Sequence, residues 1–211
     1  ERFQSQNEQL DQFASVVSHD LRNPLSVAEG QLDLAQQECE SEHLCAVSRA
    51  HERMSALIDD LLTLAREGEQ IGAVEPVDLM EVTNNCWKNV ATAEATLNID
   101  VGRQILADRS RLQQLVENVI SNAIKHSGEA VSIAVGELDD GFFIEDSGRG
   151  IPVEDREAVF EGGYSTSERG TGFGLNIVKD ITQAHGWAVR VTESSEGGAR
   201  FEFRGVEFSA E

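Results

Sequence analysis

The chain has 211 residues, 40% of them apolar, which is enough for one large core or two modest ones; 38 acidic residues against 17 basic ones leave a formal net charge of −21. A field that negative repels nucleic acid and anionic lipid surfaces, so neither is an expected partner. The acidity runs along the whole chain rather than in one patch. A solvating carboxylate shell suited to a salt-rich cytoplasm, and hence a halophile, is the expected reason.

Cys39, Cys45 and Cys86 are odd in number and lack CxxC spacing. They read as reduced, packed thiols of a cytoplasmic protein rather than a disulfide or zinc framework. No apolar run approaches the roughly 18 residues of a membrane span, and no signal peptide precedes the helical pattern. The chain opens at Glu1 already in that pattern, so a C-terminal portion of a longer protein is expected.

Residues 1–67 form the first predicted region. Leu10, Phe13, Val17, Leu21, Leu25, Ala28, Leu32 and Ala35 make one helical stripe. Leu44, Val47, His51, Met54, Ile58, Leu61 and Ala65 make a second, in heptad spacing, after a polar break at Glu38–Glu42. Two helices alone cannot bury so wide an apolar face, and pairing with a second copy as a four-helix bundle solves the problem. His51 in that seam reads as a core or register-setting polar residue. Residues 68–76 are a charged, Gly-bearing linker, and residues 77–208 are mixed α/β in pattern.

In that second region Asp78 is placed to cap a helix running to about Val90. Leu97, Ile99 and Val101 alternate as a strand, and Gln104–Ala107 make another. Asp108 caps a long helix ending near His126. Val131, Ile133 and Val135, then Phe142 and Ile144, flank a hairpin turn at Asp140-Gly141. A helix after Gly172 ends near Gly186. Trp187–Val191 and Arg200–Phe203 close a second hairpin around Glu196-Gly197-Gly198. Helices on one face of a mixed sheet give an α+β sandwich.

Four groups of residues point to chemistry. At about 100° per residue, His19 lies about 200° from both Val17 and Leu21, so its imidazole faces away from the stripe. A neutral imidazole is a nucleophile near pH 7, and Asp20 is placed to orient it and take its proton. Taken alone, an ordinary surface histidine explains His19 better. Asn118, Asn122 and Lys125 recur at i, i+4 and i+7 on one face of their helix, where amide oxygens suit Mg²⁺ and the amine suits phosphate. Capping or solvent contacts explain such asparagines when nothing else is present.

Asp146-Ser147-Gly148-Arg149-Gly150 follows a strand, so Asp146 can accept an adenine amino group, while Gly148 and Gly150 permit close backbone approach. A tight Asp-Gly turn is the equal alternative. Gly170-Thr171-Gly172-Phe173-Gly174-Leu175 opens a helix whose free N–H groups and dipole suit a polyphosphate. It is neither a P-loop nor a GxGxxG turn. Between these two motifs, residues 160–169 read as a mobile lid, with Arg169 a candidate phosphate contact and Tyr164 a packing residue.

Ser18-His19-Asp20-Leu21-Arg22-Asn23-Pro24-Leu25 resembles the H-box of sensor histidine kinases. The three later motifs resemble the N, G1 and G2 boxes of the ATP-binding superfamily shared by gyrase, MutL, the large heat-shock chaperones and those kinases. Phe160 sits at their F-box. The resemblance implies a Bergerat-type ATP-binding fold behind a dimeric helical hairpin of residues 1–67. It implies His19 as phosphoacceptor, Asp20 as general base and Asn23 in a reverse, phosphatase role. Asn122, assisted by Asn118, would hold Mg²⁺, with Lys125 and His126 near the ATP phosphates and Asp146 on adenine. It further implies relay to an aspartate of a response-regulator receiver domain. Two other classes stay open: a stand-alone ATPase or chaperone-type clamp, and a nucleotide-binding adaptor that dimerises without phosphotransfer.

Overall fold

The structure, a computed structural model, describes residues 24–28, 30–32, 34, 35, 37, 39, 41, 43–48, 50, 51, 54, 58, 72–90, 94–127, 130–161 and 172–209. They fall into two compact units, one drawn from residues 1–69 and one from residues 70–164 and 172–211.

In the first unit, the described residues between 24 and 37 are helical, as are those between 43 and 58. Cys39 and Ser41 between them are not, which matches the polar break read from the sequence. His51 has a buried Nδ1 with no hydrogen-bond partner among the described residues. Val47 and Met54, two seam residues, are exposed in the single chain. Cys39 and Cys45 are exposed too, so the expectation of packed thiols holds only for Cys86. Burial and the nearby Glu117 carboxylate push the Cys86 thiol up to about 12.

The second unit opens with β1 (Glu75–Asp78), which pairs antiparallel with β3 (Gln104–Ala107) as a separate two-stranded sheet. Two residues assigned to the linker, Glu75 and Pro76, are therefore strand, and β3 lies outside the main sheet. Pro76 is tolerated because β1 has a single partner and loses no ladder bond on its free side. Asp78 then caps α1 (Leu79–Asn89) by accepting from the Glu81 N–H at 3.1 Å. After β2 (Thr96–Asp100), Asp108 caps α2 (Arg109–Ser127), accepting from the N–H groups of Ser110 and Arg111 at 2.9 and 3.1 Å.

Next come β4 (Ser132–Leu138), β5 (Gly141–Asp146), α3 (Gly174–Ala184), β6 (Ala188–Glu193) and β7 (Ala199–Arg204). The main sheet has the order β2-β4-β5-β7-β6, with β2 parallel to β4 and every other pair antiparallel. This is the mixed sheet of an α+β sandwich.

Alternation along the strands sends Ile133, Val135, Phe142, Ile144, Phe201 and Phe203 into the core with Leu112, Leu115, Val116 and Val119 of α2 and Ile177, Val178 and Ile181 of α3. Phe142 stacks on Phe203 at 4.7 Å between ring centroids and meets Trp187 edge-on at 6.2 Å. The alternate residues carry charge instead. Glu202 is bound by Arg190, Arg200 and Arg204, and Arg200 also reaches Glu145 and covers the Phe143 ring at 3.6 Å. Burial works to raise the Glu202 carboxyl, but the arginine hydrogen bonds outweigh it and hold it below the usual range.

Candidate nucleotide site

Three segments of the second unit meet at the ends of β5, α2 and α3. Asp146 is the last residue of β5 and is almost fully buried, at 7% exposure. Its Oδ1 accepts three donors: the Gly148 N–H at 2.8 Å, the Ser127 hydroxyl at 3.3 Å and the Ala199 N–H at 3.3 Å. Its backbone carbonyl accepts the Ser194 hydroxyl at 2.7 Å. One carboxylate oxygen is thus committed to the fold. Among the described residues nothing donates to Oδ2, which remains the oxygen able to accept from a ligand.

The glycines around Asp146 serve this packing. A Cβ on Gly148 would lie 1.8 Å from Ser127 Oγ, and one on Gly198 would lie 2.0 Å from the Asp146 carbonyl oxygen. Gly150 has φ +68°, and a Cβ there would sit 2.9 Å from the Gly197 carbonyl. The close approach that the Gly148 and Gly150 spacing predicted is therefore made by the protein's own β6–β7 turn and by Ser127. Sequence reading missed Ser127, Ser194 and Gly198. A Ser-x-x-x-Gly turn beside a strand end was the available signal, but its partner lies 48 residues away.

On α2, Asn118 donates its amide to the Gln114 carbonyl at 2.9 Å, which leaves its Oδ1 as the outward group. That oxygen is next to α3, since a Cβ on Gly174 would lie 3.2 Å from it. Asn122 follows one turn later and is half-buried, and Lys125 is exposed one turn beyond. His126 is half-buried. Desolvation lowers its pKa first, and the positive charges of Arg149 and Lys125 lower it further against an opposing Asp146, which favours the neutral imidazole.

The start of α3 has no side-chain cap. Phe173 stands at the N-cap position without a capping hydrogen bond, and the first intrahelical bond runs from the Ile177 N–H to the Phe173 carbonyl. The N–H groups of Gly174, Leu175 and Asn176 precede that bond and make an anion-binding end. Gly172, with φ +79°, turns the chain into it. Phe160 is buried against Phe201, with ring centroids 6.5 Å apart, and its carbonyl accepts from Asn176 at 3.5 Å. Phe160, the first residue of the segment read from the sequence as a lid, is thus tied to α3.

The structure therefore brings together Asn118, Asn122, Lys125, His126, Asp146, Gly148, Gly150, Gly172, Phe173, Gly174 and Leu175. His19, Asp20, Asn23, Tyr164, Arg169, Gly170 and Thr171 lie outside the described residues. Amide oxygens on α2 are hard ligands that fit Mg²⁺. Among the described residues no three carboxylate, histidine or cysteine groups converge into a metal site, so such a cation would complete its shell with phosphate oxygens and water. No described helix is long and apolar enough to cross a membrane.

Comparison with known proteins places this geometry in a family. The His Kinase A (phospho-acceptor) domain matches residues 9–70, and the histidine kinase-, DNA gyrase B- and HSP90-like ATPase matches residues 107–207. The chain is 30% identical over 211 residues to the sensor histidine kinase ZraS of Klebsiella oxytoca, covering 92% of this chain and 45% of ZraS. It is 32% identical over 206 residues to the signal transduction histidine-protein kinase/phosphatase MprB of Mycobacterium bovis, covering 86% and 41%. The crystal structure of full-length ShkA in complex with AMPPNP matches with TM-score 0.68 and 28% identity, over 97% of this chain and 47% of that one. A mycobacterial MprB structure matches with TM-score 0.55 and 31% identity, over 64% of this chain and 97% of that one. The chain spans less than half the length of these curated relatives. It belongs to the sensor histidine kinases, as a histidine kinase core with an ATP-binding α+β domain behind a helical phosphoacceptor region.

Proposed function

We propose that this chain moves the γ-phosphoryl group of ATP to its own His19 and relays it to an aspartate of a response-regulator receiver domain. The observation that carries the reading is the pairing of a buried carboxylate, Asp146, with an uncapped helix start and an amide row. This arrangement lies in a chain whose residues 9–70 match the phosphoacceptor family. Asp146 Oδ2 accepts from the adenine amino group, and the α3 N–H groups with Lys125 take the phosphates. His126 lies beside them. Asn122, assisted by Asn118, holds Mg²⁺, which when bound neutralises charge on the β- and γ-phosphates.

His19 Nε2 forms a bond to the γ-phosphorus as the bond from that phosphorus to the β–γ bridging oxygen breaks, and ADP leaves. Asp20 accepts the hydrogen bond of Nδ1–H and takes that proton. Such transfer needs alignment and charge neutralisation more than covalent help. Tyr164, Arg169, Gly170 and Thr171 belong to the lid and turn that close over the phosphates. Residues 1–67 serve dimerisation and phosphotransfer, residues 68–74 link, and residues 75–208, which start at β1, bind nucleotide. The exposure of Val47 and Met54 in the single chain supports a homodimer through the helical unit. Asn23 supports a phosphatase activity toward the regulator, an activity that MprB's name also carries. The charge of −21 supports a salt-rich cytoplasmic setting.

Incubation with γ-labelled ATP and Mg²⁺ tests the reading. Acid-labile, alkali-stable label that disappears in His19→Gln is expected. Label that survives that substitution, or inorganic phosphate release with no adduct, would replace the kinase with an ATPase clamp.

A further inference from the structure

His185, which the sequence places only at a helix end, joins the two helices that build the nucleotide site. It is the C-cap of α3, where Gly186 at φ +72° closes the helix with Gly186 N–H and Trp187 N–H bonds to the Gln183 and Thr182 carbonyls. Its Nδ1 lies 2.8 Å from the Ile181 carbonyl, and its ring stacks on Trp187 at 4.3 Å between centroids. Its Nε2 accepts the backbone N–H of Asp108 at 3.0 Å, across 77 residues of sequence. An accepting Nε2 leaves the proton on Nδ1, where it donates to Ile181, so both nitrogens are committed in one tautomer.

Asp108 is equally committed. Its Oδ1 caps α2, and its Oδ2 accepts the Gly72 N–H at 2.9 Å. The Asp108–His185 bond therefore ties the first turn of α2 to the last turn of α3. At the other end of α3, Gly174 abuts Asn118 Oδ1, midway along α2. Asp108 to Asn118 is ten residues, about 15 Å of helix, and Gly174 to His185 is eleven, about 16.5 Å. Near-equal spans joined at both ends of α3 hold it antiparallel to the first half of α2 in one register. The apolar contacts between them are non-directional and set the spacing, whereas a hydrogen bond with an angular preference sets how far one helix slides along the other.

We propose that His185 is a positioning residue for the nucleotide site. By holding Asp108, it sets the register that places the α3 N-terminus against the Asn118–Asn122 row, so that phosphate and metal are met together. This rests on the reading of that site as a nucleotide site.

Titration of the full chain with Mg-ATP, alongside thermal denaturation without nucleotide, tests it in two variants. His185→Leu keeps bulk against Trp187 and removes the acceptor. His185→Gln loses the stacked ring but carries an oxygen at about the reach of Nε2. The expected result is a Kd raised roughly three- to tenfold in His185→Leu and within about twofold of the parent in His185→Gln. Equal Kd values in both variants, whatever happens to Tm, would overturn the proposal and leave the nucleotide reading standing. A parent chain that does not bind Mg-ATP would remove the nucleotide reading and the proposal with it. A measurement on the unmodified chain covers a variant that fails to fold. Because coupling is reciprocal, saturating Mg-ATP must slow hydrogen exchange at the Asp108 amide, and an unchanged exchange rate there overturns the proposal.

Discussion

The two ends of the proposed cleft differ in how much of their polar chemistry is already spent. At the β5 end, Asp146 has one oxygen filled by three donors and its carbonyl filled by Ser194, all from the protein. At the α3 end, the first N–H groups have no capping side chain, and Asn118 keeps its Oδ1 outward. The proposed adenine end is organised by the protein itself, so little ordering is left to do on binding. The proposed phosphate end would be completed by the ligand itself, since orphan donors at a helix start are tolerated where water or an anion reaches them. Substitutions at the first end should therefore disturb folding and binding together, and those at the second should disturb binding alone.

The sharpest way to break this contrast is Gly198→Ala. The new Cβ falls 2.0 Å from the Asp146 carbonyl oxygen, a backbone atom with little room to yield. A loss of about 3 kcal/mol of stability, read by denaturant unfolding, is expected together with weakened ATP binding. A variant as stable as the parent would mean that the β6–β7 turn does not brace Asp146.

Next comes Asp146→Asn. Oδ1 is held by three donors, so the amide oxygen takes that position and the NH₂ replaces Oδ2, where it cannot accept from adenine. A rise in Kd of roughly 30-fold, about 2 kcal/mol, is expected in an ATP titration. An unchanged titration would remove the adenine assignment.

Asn122→Ala sharpens the other side. Affinity for Mg-ATP should fall roughly tenfold while stability stays within about 0.5 kcal/mol of the parent, as for a half-buried side chain outside the core. A large fall in Tm would show that this end is structural as well.

The smallest effect concerns pH. Burial and the charges of Arg149 and Lys125 hold the His126 pKa below its ordinary value. A lowered folded value makes this contribution to stability complete above the unfolded imidazole range and lost as pH falls through the lowered value. Phosphate placed nearby favours the charged form, so ATP should raise the His126 pKa and binding should take up a fraction of a proton on the acid side of the ordinary imidazole range. NMR titration of the ring with and without nucleotide reads the shift, and a downward shift would move the phosphates away from His126.

Much of the second unit was legible because its signals are local. Asp78 and Asp108 cap the helices that follow them, within two or three residues. Asp140-Gly141 turns between strands whose alternation is plain, and the pairing Val135↔Ile144 follows from it. The three nucleotide motifs were legible as residue types at set spacings. The pairing of β1 with β3 was not, because Pro76 and the charged run before it read as linker. Nor were Ser127, Ser194 and Gly198, since nothing near them in the chain names Asp146 as their partner.

Periodicity, capping chemistry and glycine placement act over a few residues, so the sequence alone determined where the helices and hairpins of the second unit lie and which side chains are candidates for nucleotide chemistry. Contacts across 48 and 77 residues exist only once the sheet and helices have packed. The tertiary structure alone decided that one Asp146 oxygen is spent on the fold, that Glu202 gathers three arginines, and that His185 holds the start of α2. Those outcomes depend on which distant groups the core brings within hydrogen-bond reach, and no local pattern encodes that distance.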